Sequence, residues 1–299
     1  MSGDEDSDGL VSGQPYFKAW HGNQVFYRDG SIVVSKTQVA NCVGTAAFIS
    51  GVVGLYLYVV LTAPLSPMCS LVVVPGYLNA LVWFARTAFM DPGFVPKGYE
   101  QQQPPSQGND NSRFCVICQV RKPPRRSHCS VCNCCVDHFD HQYGFVHGSA
   151  LTPSPTTGNC VGRRNHRPFM SFLLSLIAVD IFMFCTLAAF AVQVAFVDGR
   201  GVAKFLEEHW LVPVLLYVTV STSCLLAAFF VYHAQLIAKN MTTNEVIRAR
   251  TAQVLTPHRD DDRRPSAYAN WRQHWHRFLV APTPPSKVLE MPHSDTVVV

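Results

Sequence analysis

Charged residues are scarce in this 299-residue chain, making up 15% of it, while 48% of its residues are hydrophobic. Soluble domains carry about 25% charge. So much apolar surface has to be withdrawn from water, which excludes an ordinary soluble domain and points to a bilayer. The net charge of +4 is mild and gives no support to nucleic-acid binding. The chain also lacks a basic start running into an apolar stretch. It opens MSGDEDSDGL, acidic and polar, so no cleavable signal is expected and the first apolar run should act as an uncleaved anchor. No internal repeat suggests a solenoid.

What is present instead is four long apolar runs, at 39–61, 69–90, 169–197 and 210–237. Each is long enough, at about 1.5 Å per residue, to cross a hydrocarbon layer about 30 Å thick. The first contains no charge, and a turn with Pro64 and Pro67 follows it. The second is interrupted by Pro75-Gly76 and carries Arg86 near its end, placed to snorkel to the interface. Asp180 sits inside the third, either as a hydrogen-bonded residue at a helix contact or as a functional acid. One such residue is too few for a channel or transporter.

Lysine and arginine set the expected orientation. Lys97, Arg113, Arg121, Lys122, Arg125, Arg126, Arg163, Arg164 and Arg167 lie between the second and third spans, whereas the loop after the first span has none. The middle segment, the N-terminal segment 1–38 and the tail 238–299 should therefore face the cytosol. The acidic start and the linker 98–111, rich in Gln, Pro and Asn, read as disordered, as does the tail after Pro282.

Of the eleven cysteines, seven fall between Cys115 and Cys160 and are interleaved with histidines, a grouping that favours metal over disulfides. Cys115-x-x-Cys118 and Cys129-x-x-Cys132 each have the spacing that lets two thiolates meet one tetrahedral ion, and His128 and Cys135 offer further donors. The segment shows few strands or helices with a core of their own, so metal should hold it together and zinc should be structural. The expected fold is an all-α polytopic membrane protein. Four transmembrane helices carry a small zinc-stabilised cytosolic cysteine-rich domain, 112–167, between helices 2 and 3.

The run RKPPRRSHCSVCNCCVDHFDH and the later NCVGRRNHRPF resemble the cysteine-rich domain of the DHHC-type protein S-acyltransferases, or palmitoyltransferases. Asp91-Pro92-Gly93 resembles that family's DPG motif, and Thr242-Thr243-Asn244-Glu245 its TTxE motif at 242–245. Tyr268-Ala269-Asn270-Trp271 is similar to its C-terminal aromatic and asparagine element. The resemblance implies transfer of a long acyl chain from palmitoyl-CoA or a related acyl-CoA to cysteines of cytosolic or membrane-associated proteins, by way of an acyl-enzyme. It implies membrane lipids as surroundings, no nucleic-acid partner, and Golgi or endoplasmic reticulum as the compartment. It also implies two structural zinc ions. One would be held by Cys115, Cys118, His128 and Cys135, the other by Cys129, Cys132, Cys160 and a histidine. Asp140 would orient His141, and His141 would serve as base. Arg125 and Arg126, beside Arg121 and Lys122, are candidates for the phosphates of CoA, or else for lipid headgroups, as are Arg163, Arg164 and Arg167.

The sequence departs from that pattern after Asp140-His141. Gln142 and Tyr143 stand where the second His and the nucleophilic Cys belong, and an insertion rich in Gly, Ser, Thr and Pro fills 142–158. His147 is the substitute candidate for the second zinc. Tyr143 is a poor substitute nucleophile, because a phenol ionises near pKa ~10 and a thiol near ~8.5. The stretch is either a splicing error in an active acyltransferase or the mark of a catalytically dead member that acts as a membrane scaffold or acyl- and client-binding protein. Cys134 lies outside the family pattern and is expected to be an unliganded surface thiol. His166 is expected at the interface.

Overall fold

The structure, a computed structural model, describes residues 14–63, 65–99, 113–142, 157–255 and 268–292. Four helices dominate it: α1 (Val39–Thr62), α2 (Met68–Phe89), α3 (His166–Val192) and α5 (Leu211–Ala238). All four are long and apolar enough to span a bilayer, α3 continuing through a π-helical turn to Val197. Their outward faces carry exposed large hydrophobics such as Phe48, Leu55 and Tyr58 on α1 and Leu71, Leu78 and Val82 on α2. Only lipid tolerates such a surface, so the chain is a multi-pass membrane protein. A short helix, α4 (Val202–Glu208), lies in the loop between α3 and α5.

Helix α3 is central and packs on both α2 and α5. Where α2 meets α3, a Cβ on Gly76 would stand 2.7 Å from Val179 Cγ2, so the absence of a side chain is what lets the two backbones approach. The expected interruption at Pro75-Gly76 does not occur, and α2 runs unbroken through Pro75. Neighbouring helices steady a freed carbonyl well enough to tolerate proline there. The third span starts at His166 and not at Phe169. Pro168 sits in the first turn of α3, where its missing N–H would have had no intrahelical partner in any case.

Asp180 is 4% exposed and accepts hydrogen bonds from Thr222 Oγ1 at 2.6 Å and Ser223 Oγ at 2.9 Å, both on α5. It is thus the hydrogen-bonded residue at a helix contact. Thr222→Val should lower stability in detergent by about 0.5–1.5 kcal/mol, the range for one interhelical hydrogen bond. A thermal-unfolding shift checks this, and an unchanged midpoint would contradict the clamp.

Between α2 and α3 lie strands of only two or three residues: β3 (Phe94–Val95), β4 (Arg113–Cys115), β5 (Val120–Lys122), β6 (Ser127–Cys129), β7 (Cys134–Val136), β8 (His141–Gln142) and β9 (Cys160–Val161). They form a β3-β7-β6 sheet and the antiparallel pairs β4-β5 and β8-β9. The segment therefore has more strand structure than its sequence suggests, although each strand is too short to stand alone.

The described segments nearest each terminus both fasten to this region. A hairpin of β1 (Gln24–Tyr27) and β2 (Ile32–Ser35) covers the knuckle around Cys132, whose carbonyl accepts from Asn23 N at 2.9 Å and Gln24 Nε2 at 3.1 Å. The tail beyond Pro282 was expected not to fold, yet residues 283–292 are stapled down. Ser286 Oγ donates to Asp91 Oδ2 at 2.5 Å, Lys287 Nζ to Asp137 Oδ2 at 2.6 Å and Tyr99 Oη to Glu290 Oε2 at 2.5 Å. Val288 is fully buried against Val33 and Phe94. Tyr99, in the expected linker 98–111, is accordingly 8% exposed; residues 100–111 fall outside the described residues, as does the acidic start.

Candidate active site and metal clusters

The junction of α2 with the cysteine-rich region is built by side chains that satisfy backbone groups. Asp91 Oδ1 accepts from the N–H groups of Gly93 and Phe94, both at 2.8 Å, which turns the chain out of the helix. Gly93 takes φ +114°, a conformation that favours glycine. Asp91 Oδ2 receives Arg164 Nη1 at 2.7 Å as well as Ser286. The last carbonyls of α2 have no intrahelical donors. Asn159 Nδ2 reaches those of Ala88 (3.1 Å) and Met90 (2.9 Å), and Asn165 Nδ2 that of Thr87 (3.0 Å). These contacts fix β9 and the start of α3 over the end of α2.

Two groups of donors converge in the folded region. Cys115, Cys118, His128 and Cys135 bring their ligand atoms within 4.8 Å of one another, and so do Cys129, Cys132 and Cys160. All six of these thiols are buried. In each group one thiolate is favoured by its neighbours. Cys118 is held down to about 3, first by a hydrogen bond from Cys135, and Cys132 is held low first by one from Cys129, with Cys134 and Cys160 next. Buried thiols arranged to share negative charge are a donor set that can bind zinc. The first group has three sulfurs and a nitrogen. His147, the expected fourth donor of the second, falls outside the described residues, as does Tyr143. Cys134 is not a surface thiol: it is 0% exposed, because β7 turns it into the apolar cluster with Val33, Phe94 and Cys129.

A third constellation sits where the cysteine-rich region meets the ends of α3 and α5. Asp140 Oδ2 is paired with His141 Nδ1. Helix α6 (Thr243–Leu255) starts against the same carboxylate: Thr243 N donates to Oδ1 at 2.9 Å and Thr243 Oγ1 to Oδ2 at 3.1 Å, while Asn244 N donates to the Asp140 carbonyl at 3.0 Å. Thr242 and Glu245 close a reciprocal capping box, Thr242 N to Glu245 Oε2 at 2.8 Å and Glu245 N to Thr242 Oγ1 at 3.2 Å. Burial would raise the Asp140 carboxyl, but the hydrogen bond with His141 and the positive charge of the surrounding imidazoles outweigh it and hold the group below the usual carboxylate range. The N-terminus of α6 favours the same charge.

His233 of α5 completes the group, with Nδ1 3.5 Å from Asp140 Oδ2 and its ring 4.9 Å from that of His141. It is 1% exposed. Phe169 and Phe229 stand edge-on to the His141 ring at 5.5 and 6.2 Å. His166, expected simply at the interface, turns its ring toward His233 (6.0 Å) and Phe278 (5.2 Å). His233 escaped the sequence analysis, although a lone ionisable residue inside an apolar span was signal enough to flag it.

Residues 108–250 match the family model described as DHHC palmitoyltransferase. The chain belongs to the DHHC palmitoyltransferase family. It is 25% identical over 301 residues to Palmitoyltransferase ZDHHC18-B of Danio rerio, covering 91% of this chain and 74% of that one. It is 28% identical over 254 residues to Palmitoyltransferase ZDHHC9 of Homo sapiens, covering 76% and 65%. With Palmitoyltransferase ZDHHC5 of Canis lupus familiaris it shares 31% identity over 230 residues, covering 67% of this chain but only 28% of the relative.

Within this DHHC protein the expected phosphate-binding arginines are largely engaged elsewhere. Arg126 is 7% exposed and donates to Asp137 Oδ1 at 2.6 Å and to the Arg121 carbonyl at 2.8 Å, so it braces the fold. Arg125 is paired with Glu245 at 3.2 Å and with Asn240 Oδ1 at 3.0 Å. Arg164 holds Asp91, and Arg167 donates to the carbonyls of Phe278 and Ala281, closing the end of α7 (Trp271–Val280). Arg163 is exposed.

Proposed function

We propose that this chain transfers a long acyl group from acyl-CoA to cysteine thiols of cytosolic or membrane-associated proteins, with His141 as the base. The observation that carries this reading is the Asp140–His141 pair, intact, with Asp140 buried, His141 half-buried and the carboxylate locked by the start of α6. Asp140 receives the Nδ1 proton and so presents Nε2 of His141 as the nitrogen that handles protons. The proton of an attacking thiol passes to Nε2, and the thiolate adds to the thioester carbonyl. The tetrahedral intermediate then expels CoA as a thiolate, which takes the proton back from His141.

In the family-like route the first attacking thiol belongs to the enzyme. Tyr143 occupies that position here, so the residues of this chain support direct attack by the acceptor cysteine, with no acyl-enzyme. Phe169 and Phe229, packed beside the His141 ring, make the surroundings of the base apolar. Cys115, Cys118, His128 and Cys135 would hold one zinc, and Cys129, Cys132 and Cys160 would supply three donors to a second. Both ions are assigned the structural role of tying short strands together. The basic middle segment supports a cytosolic side for this region and both termini, and the family resemblance supports Golgi or endoplasmic reticulum membranes.

His141→Ala in proteoliposomes should reduce acyl transfer to an acceptor protein by about 10²–10⁴-fold, the usual contribution of a positioned base. Thr243→Val, which loosens Asp140, should cost about tenfold. Transfer unchanged in His141→Ala would remove the base from the account. A second reading is favoured by Tyr143 itself: a membrane scaffold that binds acyl chains or clients without transfer. It predicts acyl-CoA binding with no CoA release.

A further inference from the structure

The second thiol cluster offers three donors, whereas a structural zinc takes four in a tetrahedron. Gln142 is the backbone partner of Cys160 across the β8–β9 pair, so the residue at that register position is a glutamine, a residue type that is a poor zinc ligand. A further sulfur is already at hand. Cys134 is the cross-strand partner of Cys129 in the β6–β7 pair. Its alternation along β7 puts it on the face opposite Cys135, which belongs to the first cluster. It is fully buried and packs with Cys129, Cys132 and Cys160 in one cluster.

We propose that Cys134 is the fourth ligand of the second zinc, making that site four sulfurs where the first has three and a nitrogen. This rests on the reading that the two clusters hold zinc. The Cys134 thiol neighbours Cys132, and a weak polar contact sets its Sγ 4.0 Å from Gln24 Oε1. Gln24 Oε1 already accepts from Trp20 Nε1 at 2.7 Å, so a turn of Cys134 toward the other three sulfurs leaves that oxygen satisfied. The Cys134 sulfur stands outside the group of ligand atoms formed by Cys129, Cys132 and Cys160, so ligation requires that the side chain turn toward them. The substitution of sulfur for nitrogen has an electrostatic consequence: four thiolates around Zn²⁺ leave a net charge of −2, where three thiolates and an imidazole leave −1. Asn23 N and Gln24 Nε2, which both point at the Cys132 carbonyl, place backbone and amide donors over this more negative site. The extra thiol on the strand thus supplies the fourth donor.

The test is zinc content and zinc X-ray absorption on the full-length protein purified in detergent. The proposal expects two zinc ions per chain and a combined shell of seven sulfurs and one nitrogen, and the unaltered protein alone decides it. A second nitrogen, as from His147, or an oxygen in that shell overturns it. So does a content of one zinc. Content near zero overturns the zinc reading together with this inference, which separates the two failures. Cys134→Ser should surrender its second zinc to a chelator about tenfold faster or more. Cys134→His should keep both ions and exchange one sulfur for nitrogen. Retention of both ions by Cys134→Ser with an unchanged spectrum also overturns the assignment.

Discussion

Stripping zinc with a strong chelator should unfold the segment from Phe94 to Val161 and release both termini, while the four spans stay helical. Among the described residues of this segment no strand exceeds three residues, and the two apolar clusters that flank the thiols are small. Zinc binding to small modules is worth about 10–16 kcal/mol per site, more than the whole stability of many domains. Without the ions, six buried thiols crowd together and repel as they ionise. The terminal staples then lose their anchor, because the β1–β2 hairpin rests on the Cys132 carbonyl and Lys287 on Asp137, two residues past Cys135. Trp20, ring to ring with Phe94 at 5.8 Å, reports the change by fluorescence, and limited proteolysis reports release of the tail. Far-ultraviolet circular dichroism should hold most of its helical signal. A chelated protein whose tail stays protected would show that the strands and clusters suffice alone.

Gln142→His combined with Tyr143→Cys should convert a chain that carries no thioester into one that is acylated by palmitoyl-CoA in hydroxylamine-sensitive form. The expected change is from background to label on a substantial fraction of the molecules. A thiol of pKa ~8.5 next to a histidine is far more ionised at neutral pH than a phenol of pKa ~10, and more nucleophilic. The base needed to activate it is in place, with Asp140 paired to His141 and bonded twice to Thr243. The register His141↔Val161 and Gln142↔Cys160 carries position 142 to the edge of the second thiol cluster, where a histidine competes with Cys134 for the fourth ligand position. Adding His141→Ala to this variant should abolish the label. Absence of label in the double variant, with zinc content and folding intact, would mean that the insertion holds position 143 away from His141, and the scaffold reading would gain.

The four spans were legible because twenty or so consecutive apolar residues have few other fates, and the cysteine spacings pointed to the two donor groups that the fold brings together. What escaped depended on partners far off in sequence. Asp91 could be seen as part of a motif, but not that Ser286 would reach back to it across 195 positions. Val288 and Glu290 sit in a stretch with no periodicity of its own, so nothing local marked it as folded. Arg126 looked like a ligand-binding cation because it is charged, whereas Asp137 and a backbone carbonyl engage it. Cys134 looked incidental because the spacing rules for zinc knuckles count C-x-x-C pairs, and its burial follows from strand alternation. His233 lay hidden in an apolar run, yet α5 delivers it to within 3.5 Å of Asp140.

The most direct measurement is CoA release from labelled palmitoyl-CoA by the unaltered protein in proteoliposomes, with and without an acceptor protein bearing a reactive cysteine. Base-assisted direct transfer predicts CoA release that depends on the acceptor, label on the acceptor, none retained on this chain, and loss of release in His141→Ala. Palmitoyl-CoA that binds but is never consumed, with or without acceptor, would contradict catalysis at the Asp140–His141 pair and leave a binding scaffold in its place.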